Sequence, residues 1–272
     1  MEPRQKPLNS GLGFDCNDMK IGRYIIGFSL AALLWACGEN APDCLRGAGQ
    51  TVREALVVPP FTDITVFENI RLVVKQGPEH EVVIETGKNL RPEVTAVVEE
   101  GVLVLRDANN CNLFREYGQT TIRVTTPELR NLRSSSGWPI RSEGTLAFED
   151  LRLISESFAN PEAATTDGSF ELDLDTGRVQ IVANGIAAFR LRGQTREFSI
   201  TIAAGDTRVE ARELQAGVVR VDHRGSNDLV VYPLQRLEGR IRGYGDVISY
   251  NRPDEIAVEE LFRGRLLFAE GG

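Results

Sequence analysis

Between Gly185 and Val247 the chain reads GIAAFRLRGQTREFSITIAAGDTRVEARELQAGVVRVDHRGSNDLVVYPLQRLEGRIRGYGDV. Gly185, Gly205, Gly225 and Gly245 fall 20 residues apart, and the last three are followed by Asp206, Ser226 and Asp246. Apolar residues keep the same step. Phe189, Val209 and Leu229 make one column, Leu191, Ala211 and Val231 a second, and Leu214 with Leu234 and Val221 with Ile241 two more. The residues between them, such as Arg190, Arg192, Arg208, Glu210 and Asp228, are polar, as in a strand with one face inward. A fixed period with small corner residues and inward aliphatic columns is what a β-solenoid requires, because no coil buries its inner face alone. The sequence therefore predicts an all-β fold, a single-stranded β-helix with coils of about 20 residues.

Working outward, the same step joins Gly137 to Ser157, and then the register breaks over an inserted loop at Ala159–Ala164. Phe198, Ile200 and Ile202 stand one residue out of step with Val221 and Ile241, which predicts a bulge in one coil. Towards the N-terminus, Ile64–Val66, Ile70–Val74, Val82–Ile84, Val102–Leu105 and Ile122–Val124 alternate or run apolar between turn residues and read as strands. No stretch after residue 50 carries a helical stripe of 12 or more residues. A β-sandwich also fits short strands every 8 to 12 residues, but it does not predict four equally spaced glycines.

Several of these segments resemble one family. Pro60-Phe61-Thr62-Asp63-Ile64, Gln76-Gly77-Pro78, Gly87-Lys88-Asn89-Leu90, Cys111-Asn112, Val124–Leu129 and Gly243-Tyr244-Gly245-Asp246-Val247 are similar to the head GIN domain family (putative auto-transporter adhesin), typical of Bacteroidetes lipoproteins. The resemblance covers about residues 53–252. It implies a right-handed β-helix, an exported location and no established activity. Where that family shows Gly-Ser-Gly turns, this chain has Ser136-Gly137-Trp138, Ser157-Phe158-Ala159 and Gly225-Ser226-Asn227.

The start of the chain carries an address. From Met19 a basic Met-Lys-Ile-Gly-Arg precedes the apolar run Tyr24–Ala36 and then Cys37. This is the order of a secretory signal, and the run is too short for a membrane span, which needs about 20 residues. Leu34-Trp35-Ala36-Cys37 resembles a lipobox, which makes Cys37 the acylated first residue of the mature protein. Residues 1–18 read as a mis-assigned leader, 19–36 as the signal, 37–52 as a lipid-anchored tether, 53–252 as the β-helix and 253–272 as a C-terminal cap. Gly38 after the cysteine favours the outer membrane, and the acidic Glu39–Asp43 resembles cell-surface export signals of Bacteroidetes lipoproteins. With Cys16 in the leader and Cys37 lipidated, Cys44 and Cys111 remain as an even pair in an oxidising compartment. A disulfide between them is the natural reading, contributing about 4 kcal/mol in the chain-entropy model; two free buried thiols are the alternative.

Composition narrows the function. Lys+Arg 31 against Asp+Glu 39 leaves a net charge of −8, without the basic footprint nucleic acid requires. There is no Gly-x-Ser-x-Gly, phosphate loop, His-Glu-x-x-His or CxxC, and the only two histidines, His80 and His223, read as exposed turn residues. Asp206 and Asp246, two coils apart, would stand about 9.6 Å from each other, at the upper edge for an inverting glycosidase pair. Aspartate after glycine is also what a turn prefers. Glu171, Asp173 and Asp175 read as the solvated face of a strand rather than a calcium site, since calcium needs oxygens converging from several segments. No catalytic residue, metal or cofactor is expected.

Four arginines remain as ligand candidates. Arg192 and Arg212, and likewise Arg220 and Arg240, are one period apart and should stack on the outer wall. Stacked like charges need interleaved acids or a bound anion. Glu210, Glu213, Asp222 and Glu238 could make a self-neutralised wall; otherwise the wall offers an elongated surface for acidic glycan. The sequence thus points to a non-catalytic, outer-membrane-anchored binding or adhesion module, with the membrane as partner through Cys37 and a glycan or envelope protein as ligand. A structural envelope lipoprotein and a carbohydrate-active β-helix enzyme are the alternatives.

Overall fold

A computed structural model describes residues 43–113, 115–159, 162 and 165–269. The leader, the signal segment and Cys37 lie outside the described residues, as do Cys16 and four positions of the inserted loop, 160, 161, 163 and 164.

The chain is all-β, a single 17-stranded sheet. The N-terminal part supplies short strands: β1 (Thr51–Leu56), β2 (Asp63–Val66), β3 (Ile70–Gln76), β4 (Glu81–Gly87), β5 (Val94–Glu99), β6 (Val102–Asp107), β7 (Thr120–Thr126), β8 (Asn131–Ser134), β9 (Pro139–Leu146) and β10 (Asp150–Ser155). Four long strands follow, β11 (Ser169–Ala183), β12 (Ala188–Ile202), β13 (Arg208–His223) and β14 (Leu229–Ile241), and then β15 (Val247–Ser249), β16 (Glu255–Glu260) and β17 (Leu266–Phe268). All five apolar stretches read as strands near the N-terminus lie in strands, β2, β3, β4, β6 and β7.

Successive long strands pair in parallel, β11 on β12 on β13 on β14. A straight 15-residue strand would run about 50 Å, yet only four residues separate Ala183 from Ala188, where the next parallel strand begins. Each strand must therefore double back within its length, and the sheet curls. The bend falls at a buried threonine: Thr176 Oγ1 bonds Thr195 Oγ1 at 3.0 Å on the neighbouring strand. Either side of it the sheet runs as two columns. The first half of β11 pairs with β9, which lies on β3, while its second half pairs with β10, which lies on β8, and β8 in turn on β2. At the N-terminal end both columns close with antiparallel strands, β7–β4–β1 on one and β6–β5 on the other.

One apolar core fills the space inside the curl, from Phe61 to Val247. Phe189, Val209 and Leu229 are directly opposed across β12, β13 and β14 and fully buried, so this column stands as expected. The corner glycines are explained by the same stacking. Gly205 has φ +87°, where L side chains are strained, and a Cβ there would meet the Gly185 carbonyl oxygen at 2.3 Å. The expected bulge is present, with register shifts between Arg190 and Arg192 and, on the next pair, between Glu210 and Gln215 and between Ala216 and Val218.

Those shifts overturn two expected columns. Leu214 lies opposite Gly193, while Leu234 is 44% exposed, and Val221 lies opposite Gly239, leaving Ile241 opposite His223. The physical cause is that β12 meets β13 at an offset of 21 residues beyond the bend, and β13 meets β14 at 18. The first shift is taken up before the corner, so Gly225 still stands over Gly205, but the second runs through it, so Gly243 stands over Gly225 and Gly245, out of its expected place, over Asn227.

Facing can be tested directly. Val209→Ala removes two buried methyl groups from the centre of a column and is expected to cost about 1–3 kcal/mol. Arg208, its neighbour, has a side chain 60% exposed and its alanine variant should change stability by about 0.5 kcal/mol or less. Denaturant melts in which Arg208→Ala is the more damaging of the two would contradict this register.

Candidate functional site

The outward side chains of the long strands form two walls, one on each column. On the first, Glu171 of β11 lies between Arg141 Nε at 2.7 Å and Arg190 Nη1 at 3.4 Å. Arg192 pairs bidentately with Asp173, its Nη2 donating to Oδ2 at 3.1 Å. Glu210 of β13 takes Arg208 on one side at 2.5 Å and Arg212 on the other at 3.1 Å. These groups border a shallow trough of about 610 Å³ over β11, β12 and β13, lined by Arg190, Arg192, Arg208 and Arg212 together with three glutamates.

The electrostatics follow from the pairing. The Arg141 guanidinium holds the Glu171 carboxyl below its usual range. Burial alone would raise Glu210, but its two arginines outweigh burial and hold it low. Glu171 and Glu210 are therefore ionised at neutral pH, and the arginines of the trough are matched by nearby acids.

On the second wall the ion pairs run from strand to strand. Asp150 contacts Arg178 at 3.0 Å, Arg178 contacts Glu197 at 3.3 Å, Glu197 contacts Arg220 at 2.9 Å and Arg220 contacts Glu238 at 2.6 Å. Arg236 bridges Glu238 at 2.6 Å to Glu255 at 2.8 Å.

The four candidate arginines are thus divided. Arg192 and Arg212 share the trough, although Arg192 is directly opposed to Glu213 because of the bulge between β12 and β13. Arg220 and Arg240 do not stack: the 18-residue offset puts Glu238 opposite Arg220 and Asp222 opposite Arg240, which Asp222 Oδ2 binds at 3.1 Å. That expectation is corrected. Glu210, Glu238 and Asp222 neutralise Arg212, Arg220 and Arg240, as the self-neutralised reading expected; Asp173 and Glu197 join them, the first visible in sequence only as an acid on a solvated strand face.

Other candidates have quieter roles. Asp206 accepts the Ser226 hydroxyl at 2.7 Å and Asp246 accepts the Arg265 N–H at 2.7 Å, so both tie one corner to the next. Cys44 and Cys111 are joined as a disulfide, Cα atoms 4.5 Å apart, fastening the residues before β1 to the loop after β6. Among the described residues no cluster of three or more His, Cys, Asp or Glu is placed to hold a metal ion.

Neither histidine is an exposed turn residue. His80 is half-buried against Phe61, ring centroids 4.6 Å apart. His223 is fully buried: it ends β13 on the inward alternation of Val219 and Val221. Its Nδ1 accepts the Gly225 N–H at 3.4 Å, the bonding of a neutral ring. Burial pushes its pKa below the ordinary 6.5, against the opposing pull of the Asn227 carbonyl, Asp228, Asp246 and Asp222. The unfolded chain then binds the proton more readily. The stability held by the neutral ring is complete above about pH 6.5 and is lost as pH falls from there towards the folded value, by at most about 1.4 kcal/mol per pH unit. Urea midpoints should fall between pH 7.5 and 5.5 in the natural chain and much less in His223→Gln. A natural chain with a flat profile would contradict this.

A family model described as "Putative auto-transporter adhesin, head GIN domain" matches residues 60–253. No curated protein matches the chain. Among solved structures, a putative adhesin from Bacteroides fragilis NCTC 9343 superposes with a TM-score of 0.71 at 15% identity, covering 82% of this chain and 99% of that one. A putative lipid binding protein from Parabacteroides distasonis ATCC 8503 gives 0.56 at 14% identity, covering 80% and 97%. A putative adhesin from Parabacteroides merdae ATCC 43184 gives 0.54 at 14%, covering 82% and 98%. At such identities the likeness is one of fold.

Proposed function

Because the chain belongs, over residues 60–253, to the family described as putative auto-transporter adhesin, head GIN domain, we propose that it is a non-catalytic adhesion module displayed at the cell surface. In this reading the curled sheet is a right-handed single-stranded coil, exported by the segment 19–36 and held to the outer membrane by lipid on Cys37. The Cys44–Cys111 disulfide braces the end nearest the anchor.

The ligand side of the proposal is an acidic glycan lying along the first wall, with Arg192 and Arg212 as its main contacts. The observation that carries it is the exposure of the trough's guanidinium groups: Arg190, Arg192, Arg208 and Arg212 have side chains 72%, 63%, 60% and 53% exposed. Each arginine has five N–H donors, and a single carboxylate leaves several of them for a ligand. Charge balance makes such binding modest and sensitive to salt. Arg220 and Arg240, each held against acids on the second wall, are secondary contacts.

The test is a glycan array probed with the chain from residue 37 onwards carrying Cys37→Ser. Binding should favour carboxylated or sulfated glycans and fall about tenfold or more in Arg192→Ala/Arg212→Ala, the scale of losing hydrogen bonds to charged groups. Retention of no acidic glycan, or cleavage of one, would overturn it. Anchoring is checked separately by the intact mass of the mature protein, which should show an acylated Cys37; an unmodified Cys37 would remove that part.

A further inference from the structure

The two ends of the sheet are finished differently. At the N-terminal end β1 and β5 turn antiparallel onto β4 and β6, and Phe61, Leu90 and Val94 beneath them are buried. At the other end the sheet stops. β16 pairs only with β14 and β17 only with β15, and among the described residues no strand pairs with their outer edges. The inward column Val219–Leu237–Ile256 runs from two fully buried residues to one that is 40% exposed. Stacked repeats need a covering unit at each end.

The edge of β16 has a specific chemistry. Leu261 N–H donates to the Ile241 carbonyl of β14. In a parallel ladder, alternate residues bond to alternate sides, which leaves the N–H and C=O groups of Ile256, Val258 and Glu260 aimed outward. The side chains continue the charge alternation of the second wall. Asp222, Arg240 and Glu259 are directly opposed across β13, β14 and β16, and Arg236 is opposed to Glu255. Among the described residues each series ends on an acid.

We propose that the free edge of β16 is a docking site for an extended polypeptide strand that carries basic residues four apart, opposite Glu255 and Glu259, and apolar residues opposite Ile256 and Val258. The pattern reads the same in both directions, so it suits either strand orientation. Opposite-charge pairs across neighbouring strands are favourable and like charges are not. That disfavours a second copy as the natural occupant, since two β16 edges meeting antiparallel with Ile256 against Val258 would set Glu255 of each copy against Glu259 of the other. The chain already holds one strand of the required kind: Arg236-Leu237-Glu238-Gly239-Arg240, on the other side of β16. Strand addition of this sort draws affinity from main-chain bonds and specificity from side chains. The proposal concerns the end of the sheet and stands apart from glycan binding on the side wall.

The probe is a labelled peptide copying residues 234–242 with Gly239→Val, which raises its strand propensity. Added to the chain from residue 37 onwards carrying Cys37→Ser, it should bind saturably and slow amide exchange at Ile256, Val258 and Glu260. In the chain variant Glu255→Lys/Glu259→Lys, binding should weaken about tenfold or more, and a peptide with Arg236→Glu and Arg240→Glu should restore it. That rescue separates lost pairing from a misfolded edge. Equal binding of both peptides to the natural chain, absence of exchange protection in β16, or dimerisation through β16 would overturn the proposal. So would association of this end with phosphatidylglycerol vesicles through Leu261 and Phe262 with no peptide binding.

Discussion

Phe189→Ala is expected to lower stability by about 3–5 kcal/mol, the range for truncating a fully buried phenylalanine. Phe189 is 1% exposed, and its ring stacks on Phe170 with centroids 4.7 Å apart and planes 7° from parallel. Val209 closes the other side. Removal therefore leaves a void bounded by two rungs that the backbone ladder holds at fixed spacing, so collapse around it is limited. Phe189→Leu, which keeps most of the volume, should cost less than half as much. Denaturant midpoints measure both; an alanine variant within about 1 kcal/mol of the natural chain would mean that the ring lies outside the core.

Arg133→Ala is expected to have a similar effect by a different route. Arg133 on β8 donates from Nη2 to Glu156 Oε1 at 2.8 Å and from Nη1 to the Glu156 carbonyl at 2.9 Å. Both side chains are largely buried, 13% and 5% exposed. Burial by itself would raise the Glu156 carboxyl, but Arg133 and the N–H groups of Ala159 and Phe158 outweigh it and hold the pKa below 4.5. Losing the arginine strands a buried carboxylate, which costs about 3–5 kcal/mol. The sign with pH is fixed: a depressed carboxyl contributes stability above its unfolded value and loses it as pH falls through the folded one. The gap between Arg133→Ala and the natural chain should thus be widest at neutral pH and narrow in acid. Arg133→Met/Glu156→Gln, which removes both charges, should recover much of the loss. A variant gap that is constant from pH 7 to pH 3 would contradict the assignment.

How far the sequence carries can be seen in the column Phe189–Val209–Leu229. It is legible because corner and column are set by one constraint: a Cβ at Gly205 would run into the corner below, so the glycine step and the inward apolar step must agree. One bulge is legible, in the one-residue slip of Phe198, Ile200 and Ile202 against Val221; its place between Arg190 and Arg192 and the further shifts between β13 and β14 are not, because they leave the count between glycines unchanged. Everything downstream of them slips, which is why Arg220 was expected beside Arg240 and stands beside Glu238. His223 was hidden by its own polarity; alternation with Val219 and Val221 marks it as inward, and only the imidazole argues otherwise. In the N-terminal part the period is invisible because each column is built from separate short strands, with β4 and β5 reversed. Glu156 could not be found at all, since its partner lies on β8, 23 residues earlier.

The central claim is that the bulged register, and not the simple 20-residue step, decides which charges meet on the outer walls. Cysteine cross-linking across β13 and β14 tests it. Residues 220 and 238 are directly opposed, about 4.8 Å apart in a parallel ladder, within disulfide reach, whereas 220 and 240 are offset along the strand to about 8 Å, beyond it. Under mild oxidation Arg220→Cys/Glu238→Cys should form the bridge in peptide maps and Arg220→Cys/Arg240→Cys should not. A bridge in the second pair and none in the first would restore the stacked arginines and contradict the neutralised walls.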